Sequence, residues 1–227
     1  MPARFRVLIY NVRSLRDDPA AVAAVVRSCD PDVVLVQEAP RFFRWRSKLA
    51  KLARECGLLY VSGGRTTGGV ALLAHLRVDV DDAREGLLTK HSGLHQRGIA
   101  AAVVSRSGCR LLVASTHLGL DRQERAGHAQ EVLTLLGMVP AAHAVTGGDL
   151  NEPPGGPAWA ALHAGGLRDL GPGSGPTFPA TSPRKRIDAV LGSPLVEVVE
   201  YRVIGGPGAE RASDHRPVLA VVQVPTS

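Results

Sequence analysis

Residues 142–156 read AHAVTGGDLNEPPGG: a short apolar run, Ala144–Thr146, breaks off into Asp149 and Asn151 and then into a Pro/Gly-rich turn. An apolar run of this length bounded by turn residues predicts a buried strand, and Asn, Glu, Pro and Gly after it predict a tight turn. The same arrangement recurs along the chain. VLIYN ends in Asn11, VVLVQE in Glu38 and LLVASTH in His117, while RIDAVL begins with Asp188 and SDHRPVLAVV opens with Asp214 and His215. In a sheet protein the strand ends converge on one rim, so polar residues placed repeatedly at those ends are natural parts of one site.

Further outward, the strand-sized apolar runs are Val7–Tyr10, Val33–Val36, Val70–Ala74, Ile99–Val104, Leu111–Ala114, Ala144–Thr146, Ala189–Leu191 and Val218–Val222. Helical stretches lie at 19–28, 42–55 and 121–137. In the last of these Asp121, with Glu124 three residues on, suits an N-cap, Gly137 suits a stop, and Ala129, Val132, Leu133 and Leu136 fall on one face. Several strand candidates follow one another without a helix between them. Mixed sheets packed together, with helices outside, therefore fit better than a purely parallel doubly wound sheet. GPGSGP at 171–176 and GGPG at 205–208 are loops too short to divide the chain, and residues 1–227 read as one domain.

Composition narrows the function classes. The chain has 227 residues, 44% of them hydrophobic, enough for a well-buried core. Its net charge of +6 favours anionic partners. Cys29, Cys56 and Cys109 are an odd, widely spaced set with no CxxC pair, which argues against a disulfide framework and a cysteine zinc site. The opening MPARFRVLIYNV lacks a long apolar stretch before Asn11, and no apolar run is long enough to span a bilayer. The expected location is cytoplasmic.

The polar set is chemically coherent. Glu38, with Asn11 or an aspartate, offers hard oxygen ligands suited to Mg²⁺ or Mn²⁺ rather than zinc. His215 can act as a general base, and a buried aspartate could fix its tautomer. Asp149 and Asn151 could position water and phosphate.

The ordered series Asn11, QE at 37–38, RG at 97–98, TH at 116–117, GDLN at 148–151, RID at 186–188 and SDH at 213–215 closely resembles the endonuclease/exonuclease/phosphatase superfamily, from Val7 to Val222. That group includes pancreatic-type deoxyribonuclease, abasic-site endonucleases, neutral sphingomyelinases and inositol-polyphosphate 5-phosphatases. The resemblance implies a deoxyribonuclease-like four-layer α/β/β/α sandwich of two mixed sheets with flanking helices, and a phosphate-containing substrate, nucleic acid first. It implies Glu38 as metal ligand, with Asn11 and Asp214 at the metal, and a catalytic His215 oriented by Asp188. Asp149 would activate water or assist the leaving oxygen and Asn151 would orient phosphate, while His117 and Arg97 would stabilise its charge. His117 stands where abasic-site enzymes carry tyrosine, which places the chain nearer the deoxyribonuclease and sphingomyelinase branches. No carboxylate partner for His117 is visible in GGRTTGG at 63–69.

Plainer readings compete. Each motif alone could merely end a strand; the ordered set is what carries weight. A degenerate, non-catalytic homologue is disfavoured because no expected acid or histidine is replaced, and a small-molecule or lipid phosphoesterase stands as the alternative to a nuclease. In RFFRWRSKLAKLAR at 41–54, Phe42, Trp45, Leu49 and Leu52 recur at helical spacing and predict a core-facing stripe rather than a nucleic-acid helix. PRKR at 183–186 offers Arg184 and Arg186 to flanking phosphates, or is a solvated charge run. His91 and His95 lack the glutamate of HExxH, so they are not expected to ligate metal.

Overall fold

Apolar alternation builds the interior first. In β1 (Ala3–Asn11), Phe5, Val7 and Ile9 point one way and Leu8 and Tyr10 the other, the two-residue period of a strand. Both sets are buried, because both faces of the strand are covered. The computed structural model, which describes residues 1–226, contains two six-stranded mixed sheets.

The first sheet joins β1 to β2 (Val33–Gln37), β3 (Leu59–Gly64), β4 (Val70–Ala74), β11 (Glu197–Val203) and β12 (Val218–Val224), in the order β11-β12-β1-β2-β4-β3. The second comprises β5 (Asp79–Leu87), β6 (Gly98–Arg106), β7 (Cys109–His117), β8 (Ala144–Asp149), β9 (Arg168–Asp169) and β10 (Asp188–Gly192), in the order β5-β6-β7-β8-β10-β9. Their inner faces meet through Phe5, Val7, Ile9, Leu35 and Leu72 on one side and Leu111, Val113, Val145 and Val190 on the other. Helices α1 (Pro19–Cys29), α2 (Trp45–Cys56) and α5 (Pro207–Ala212) lie on the outer face of the first sheet. Helices α3 (Arg122–Gly137) and α4 (Pro157–Ala164) cover the second. The result is the expected α/β/β/α sandwich. Among the described residues no helix is long and apolar enough to cross a membrane.

All eight expected strands lie inside observed ones. The four unforeseen strands, β3, β5, β9 and β11, are the edges of the two sheets. Edge strands face water and carry charges that block further pairing, and β5 reads DVDDAREGL. Bulges at Tyr60/Ser62, Val80/Asp82 and Val198/Glu200 also break the alternation in three of them. Asp121 caps α3 as expected, accepting from the backbone N–H groups of Gln123 and Glu124 at 2.9 Å. The α2 stripe needs one correction. Trp45, Leu49 and Leu52 are buried, but Phe42 is 75% exposed. Arg44 has φ 56°, so the chain turns before the helix begins and carries Phe42 off its face.

Leu49 is fully buried between α2 and the outer face of the first sheet. Leu49→Ala is expected to lower stability by about 2–5 kcal/mol, read by urea denaturation; a loss below about 1 kcal/mol would contradict this packing.

Candidate active site

Strand register explains why distant residues meet. β7 runs parallel to β8 with His117 opposite Asp149, and β10 runs antiparallel to β8 with Asp188 opposite the same Asp149. Three side chains thus form one row across the rim of the second sheet. In the first sheet the parallel strands β1 and β2 end together, with Asn11 opposite Gln37 and Glu38 following. β12 runs antiparallel to β1 with Val218 opposite Ile9, which sets Ser213, Asp214 and His215 beside the end of β1.

The two rims are joined by hydrogen bonds. Asn11 Nδ2 donates to Asp149 Oδ2 at 3.1 Å across the sandwich and lies 3.3 Å from Glu38 Oε1. Gln37 Nε2 donates to Ser115 Oγ at 3.0 Å, and Ser213 Oγ donates to the Asn11 carbonyl at 2.7 Å. Asn151 N–H donates to Asp149 Oδ1 at 2.9 Å. Glu38 and Asn151 have φ of 48° and 51°, left-handed backbone where each strand gives way to its loop. Gly148 admits no side chain, since a Cβ there would lie 1.9 Å from the Thr116 carbonyl oxygen. The glycine of GDLN therefore serves the close approach of β8 to β7.

His215 Nδ1 lies 3.0 and 3.1 Å from the two Asp188 oxygens, and its ring packs 4.8 Å from that of Phe178. Its Nε2 faces Asp149 Oδ2 at 3.7 Å. His117 Nε2 lies 3.3 Å from Asp149 Oδ2 and 3.1 Å from Asn151 Nδ2. The carboxylate facing His117 is therefore Asp149 at the end of β8, not a residue of the 63–69 loop.

Burial shapes the ionisation of this cluster. It pushes the Asp149 carboxyl up, but the charge and hydrogen bond of His117 and the charge of His215 outweigh it and hold Asp149 well below the usual carboxylate range. Burial also pushes Asp188 up, against the pull of His215. For His215 burial favours the neutral ring, yet Asp188, then Asp149 and Asp214, raise the imidazole to about 9.

His117, Asp149, Asn151 and His215 line a cleft of about 380 Å³ together with Glu38, Arg97 and Asp214, with Asp188 behind His215. Arg97 is only 8% exposed; its Nε is buried without a hydrogen-bond partner, and among the described residues no carboxylate lies within ion-pair distance of it. Desolvation lowers its pKa despite the nearby charges of Asp149, Glu124 and Glu38. The wall also contains Arg16, Arg41, His95, Leu120 and Phe178, which the strand-end pattern could not reveal because they lie in loops. Glu124 lies outside the lining but its charge acts on Arg97. In the sequence it only accompanies the Asp121 cap, yet it is buried and its Oε1 has no partner.

Two expected substrate contacts are not brought to the cleft. Arg186 is buried against Asp169, with two contacts of 2.7 Å, and its guanidinium lies over Trp159. Arg184 is exposed outside the lining residues.

Asp149, Asp188 and His215 each offer a ligand atom, all within 4.8 Å of one another, and form a candidate metal site. Both Asp188 oxygens face His215, which ties them to the imidazole. Three carboxylates, Glu38, Asp149 and Asp214, also line the cleft, Asp214 with Arg13 Nε 3.3 Å from its Oδ2. Asn11 spans two of them. That chemistry fits a hard divalent cation.

Comparison with known proteins follows the same lines. The sequence profile of the Endonuclease/Exonuclease/phosphatase family matches residues 8–215. A search of curated proteins finds no match. Among solved structures, an endonuclease/exonuclease/phosphatase family protein from Bacteroides thetaiotaomicron has a TM-score of 0.82 at 20% identity, covering 99% of each chain. The mannosyl-6-phosphatase of Bacteroides thetaiotaomicron has a TM-score of 0.79 at 20% identity, covering 96% of this chain and 99% of its own. D. rerio TDP2 complexed with single strand DNA product has a TM-score of 0.76 at 18% identity, covering 97% and 99%.

In the metal-free protein the His215 imidazole is expected to titrate near 9 by NMR. Asp188→Asn should return it toward the ordinary value of about 6.5. Because the folded-state pKa is raised, the ion pair's contribution to stability is complete below about 6.5 and is lost as pH climbs through about 9. An unshifted titration in Asp188→Asn would contradict the pairing.

Proposed function

The chain belongs to the endonuclease/exonuclease/phosphatase family, and on that premise we propose that it is a divalent-metal-dependent phosphodiester hydrolase that cleaves DNA or RNA by in-line attack of water. Members of this family hydrolyse phosphoester bonds with a divalent metal and act on phosphate-containing substrates. Residues 1–227 would work as one catalytic unit.

The observation that carries this reading is Arg97. A buried guanidinium without a counter-anion is costly, and one that lines a cleft beside a cluster of acids is relieved by a bound anion. A phosphate group meets that need and offers oxygens to a guanidinium fork. A metal held by Glu38, with Asn11 and Asp214 beside it, would polarise a phosphate oxygen when bound.

The remaining work falls to the chain's own side chains. Asp149, kept anionic, receives a hydrogen bond from the attacking water and fixes its line of approach. Asn151 and His117 hold the phosphate on the second-sheet side. His215, oriented by Asp188, shares the proton transfers with Asp149. As an imidazolium it neutralises charge on the phosphate and stands ready to protonate the departing oxygen. Arg97 takes up the negative charge that develops on the phosphate oxygens.

The polymer substrate is favoured by charge. The chain carries a net +6, and Arg16 and Arg41 extend the positive wall beyond Arg97. D. rerio TDP2, described with single strand DNA product, supports this choice on the same fold. The mannosyl-6-phosphatase of Bacteroides thetaiotaomicron supports a small phosphoester as the second reading.

The purified protein with Mg²⁺ or Mn²⁺ is expected to cleave DNA or RNA and a generic phosphodiester faster than a phosphomonoester, with activity abolished by a chelator. His215→Ala and Asp149→Ala should each lower kcat about 10²- to 10⁴-fold, and Arg97→Met about 10²- to 10³-fold. Phosphomonoester release without diester cleavage would favour the second reading. Full activity in Asp149→Ala would overturn both.

A further inference from the structure

The chemistry above leaves RFFRWR at 41–46 unused. Phe42 and Phe43 are 75% and 82% exposed. They are two of only four phenylalanines in the chain. The core selects their neighbour instead: Trp45 opens α2 and is buried, while the left-handed turn at Arg44 leaves the phenylalanine pair outside. Scattered apolar surface residues need no explanation, but two adjacent exposed aromatics beside a cleft-lining residue do.

The chain just before them is anchored at the cleft. Arg41 lines the cleft and donates to the Gly68 carbonyl oxygen at 3.2 Å, while Ala39 N–H donates to the Gly69 carbonyl at 2.8 Å. Phe43 follows Arg41 by two Cα steps, at most about 7.6 Å. The pair is thus next in the chain to a cleft-lining residue, although neither ring lines the cleft itself. Its own segment is basic: no acidic residue occurs between Glu38 and Glu55, while Arg41, Arg44, Arg46 and Lys48 do. Leu120, also exposed, lines the same cleft.

Aromatic faces interleaved with cations suit one polyanion in particular, a strand whose bases stack on rings while its phosphates meet guanidinium groups. Bases in a duplex are already stacked on one another, so only unpaired bases offer free faces. Resting on the phosphodiesterase reading above, we infer that Phe42 and Phe43 form a stacking platform for unpaired bases next to the scissile phosphate, and that the substrate is single-stranded nucleic acid or an unpaired end.

The test compares wild type with Phe42→Ala/Phe43→Ala on a single-stranded oligonucleotide, its duplex, and bis(p-nitrophenyl) phosphate, which has no base. Wild type is expected to prefer the single strand to the duplex. In the double variant the ratio of kcat/KM on the oligonucleotide to that on the small diester should fall at least about tenfold, the loss of one stacked base. Phe42→Trp/Phe43→Trp should keep the ratio. An unchanged ratio in the alanine variant, or a wild-type preference for duplex, overturns the inference. So does binding to phosphatidylserine vesicles that disappears in the alanine variant while the ratio holds, which would assign the pair to a membrane surface. Wild-type cleavage of the small diester but of no oligonucleotide sinks the inference and leaves the phosphoesterase site standing. Silence on every substrate sinks both.

Discussion

The architecture of this site turns on one buried anion, the Asp149 carboxylate. An ionised group taken out of water must be met by hydrogen bonds and opposite charge or it will not stay ionised. Asp149 is met from four directions: Asn11 from the other sheet, the Asn151 backbone, His117 from the neighbouring strand and His215 from the approach to β12. These contacts tie β7 to β8 at one rim and hold the two sheets together there. The same few bonds thus define the fold locally and assemble the chemistry.

A second buried aspartate shows why this arrangement reads as a site rather than as a structural tie. Asp32 precedes β2, at the opposite end of that strand from Glu38. It accepts from the Arg6 backbone N–H at 2.8 Å and is paired with the guanidinium groups of Arg77 and Arg106. Permanent cations saturate it. Asp149 has only amides and imidazoles, whose charge can change, and it lies in the wall of a cleft shared with Glu38, Asp214 and the unpaired Arg97. Acidic groups and a guanidinium without an ion-pair partner among the described residues thus share one cavity. A divalent ion and a phosphate group together would satisfy both.

Interior strands were legible in the sequence because two packed sheets bury both faces, so VVLV and VALLA stand out as continuous apolar runs. The edge strands were not, because water-facing charges and bulges erase the pattern. Helices α4 and α5, of 8 and 6 residues, are too short to show a face and begin at prolines that read as loop. Candidate site residues were visible where they end or begin a strand. Arg41 and His95 were not, because loop path brings them in. Arg186 shows the converse: nearness in sequence to Asp188 left a phosphate contact and a solvated charge run equally open, and its side chain pairs with Asp169.

Anomalous diffraction from crystals soaked in Mn²⁺ tests the account most directly. It predicts a single strong peak in the cleft, touching the Glu38 carboxylate on the side of the cavity that holds Asn11 and Asp149. A peak lodged elsewhere on the protein, or an empty cleft at saturating Mn²⁺, would contradict it.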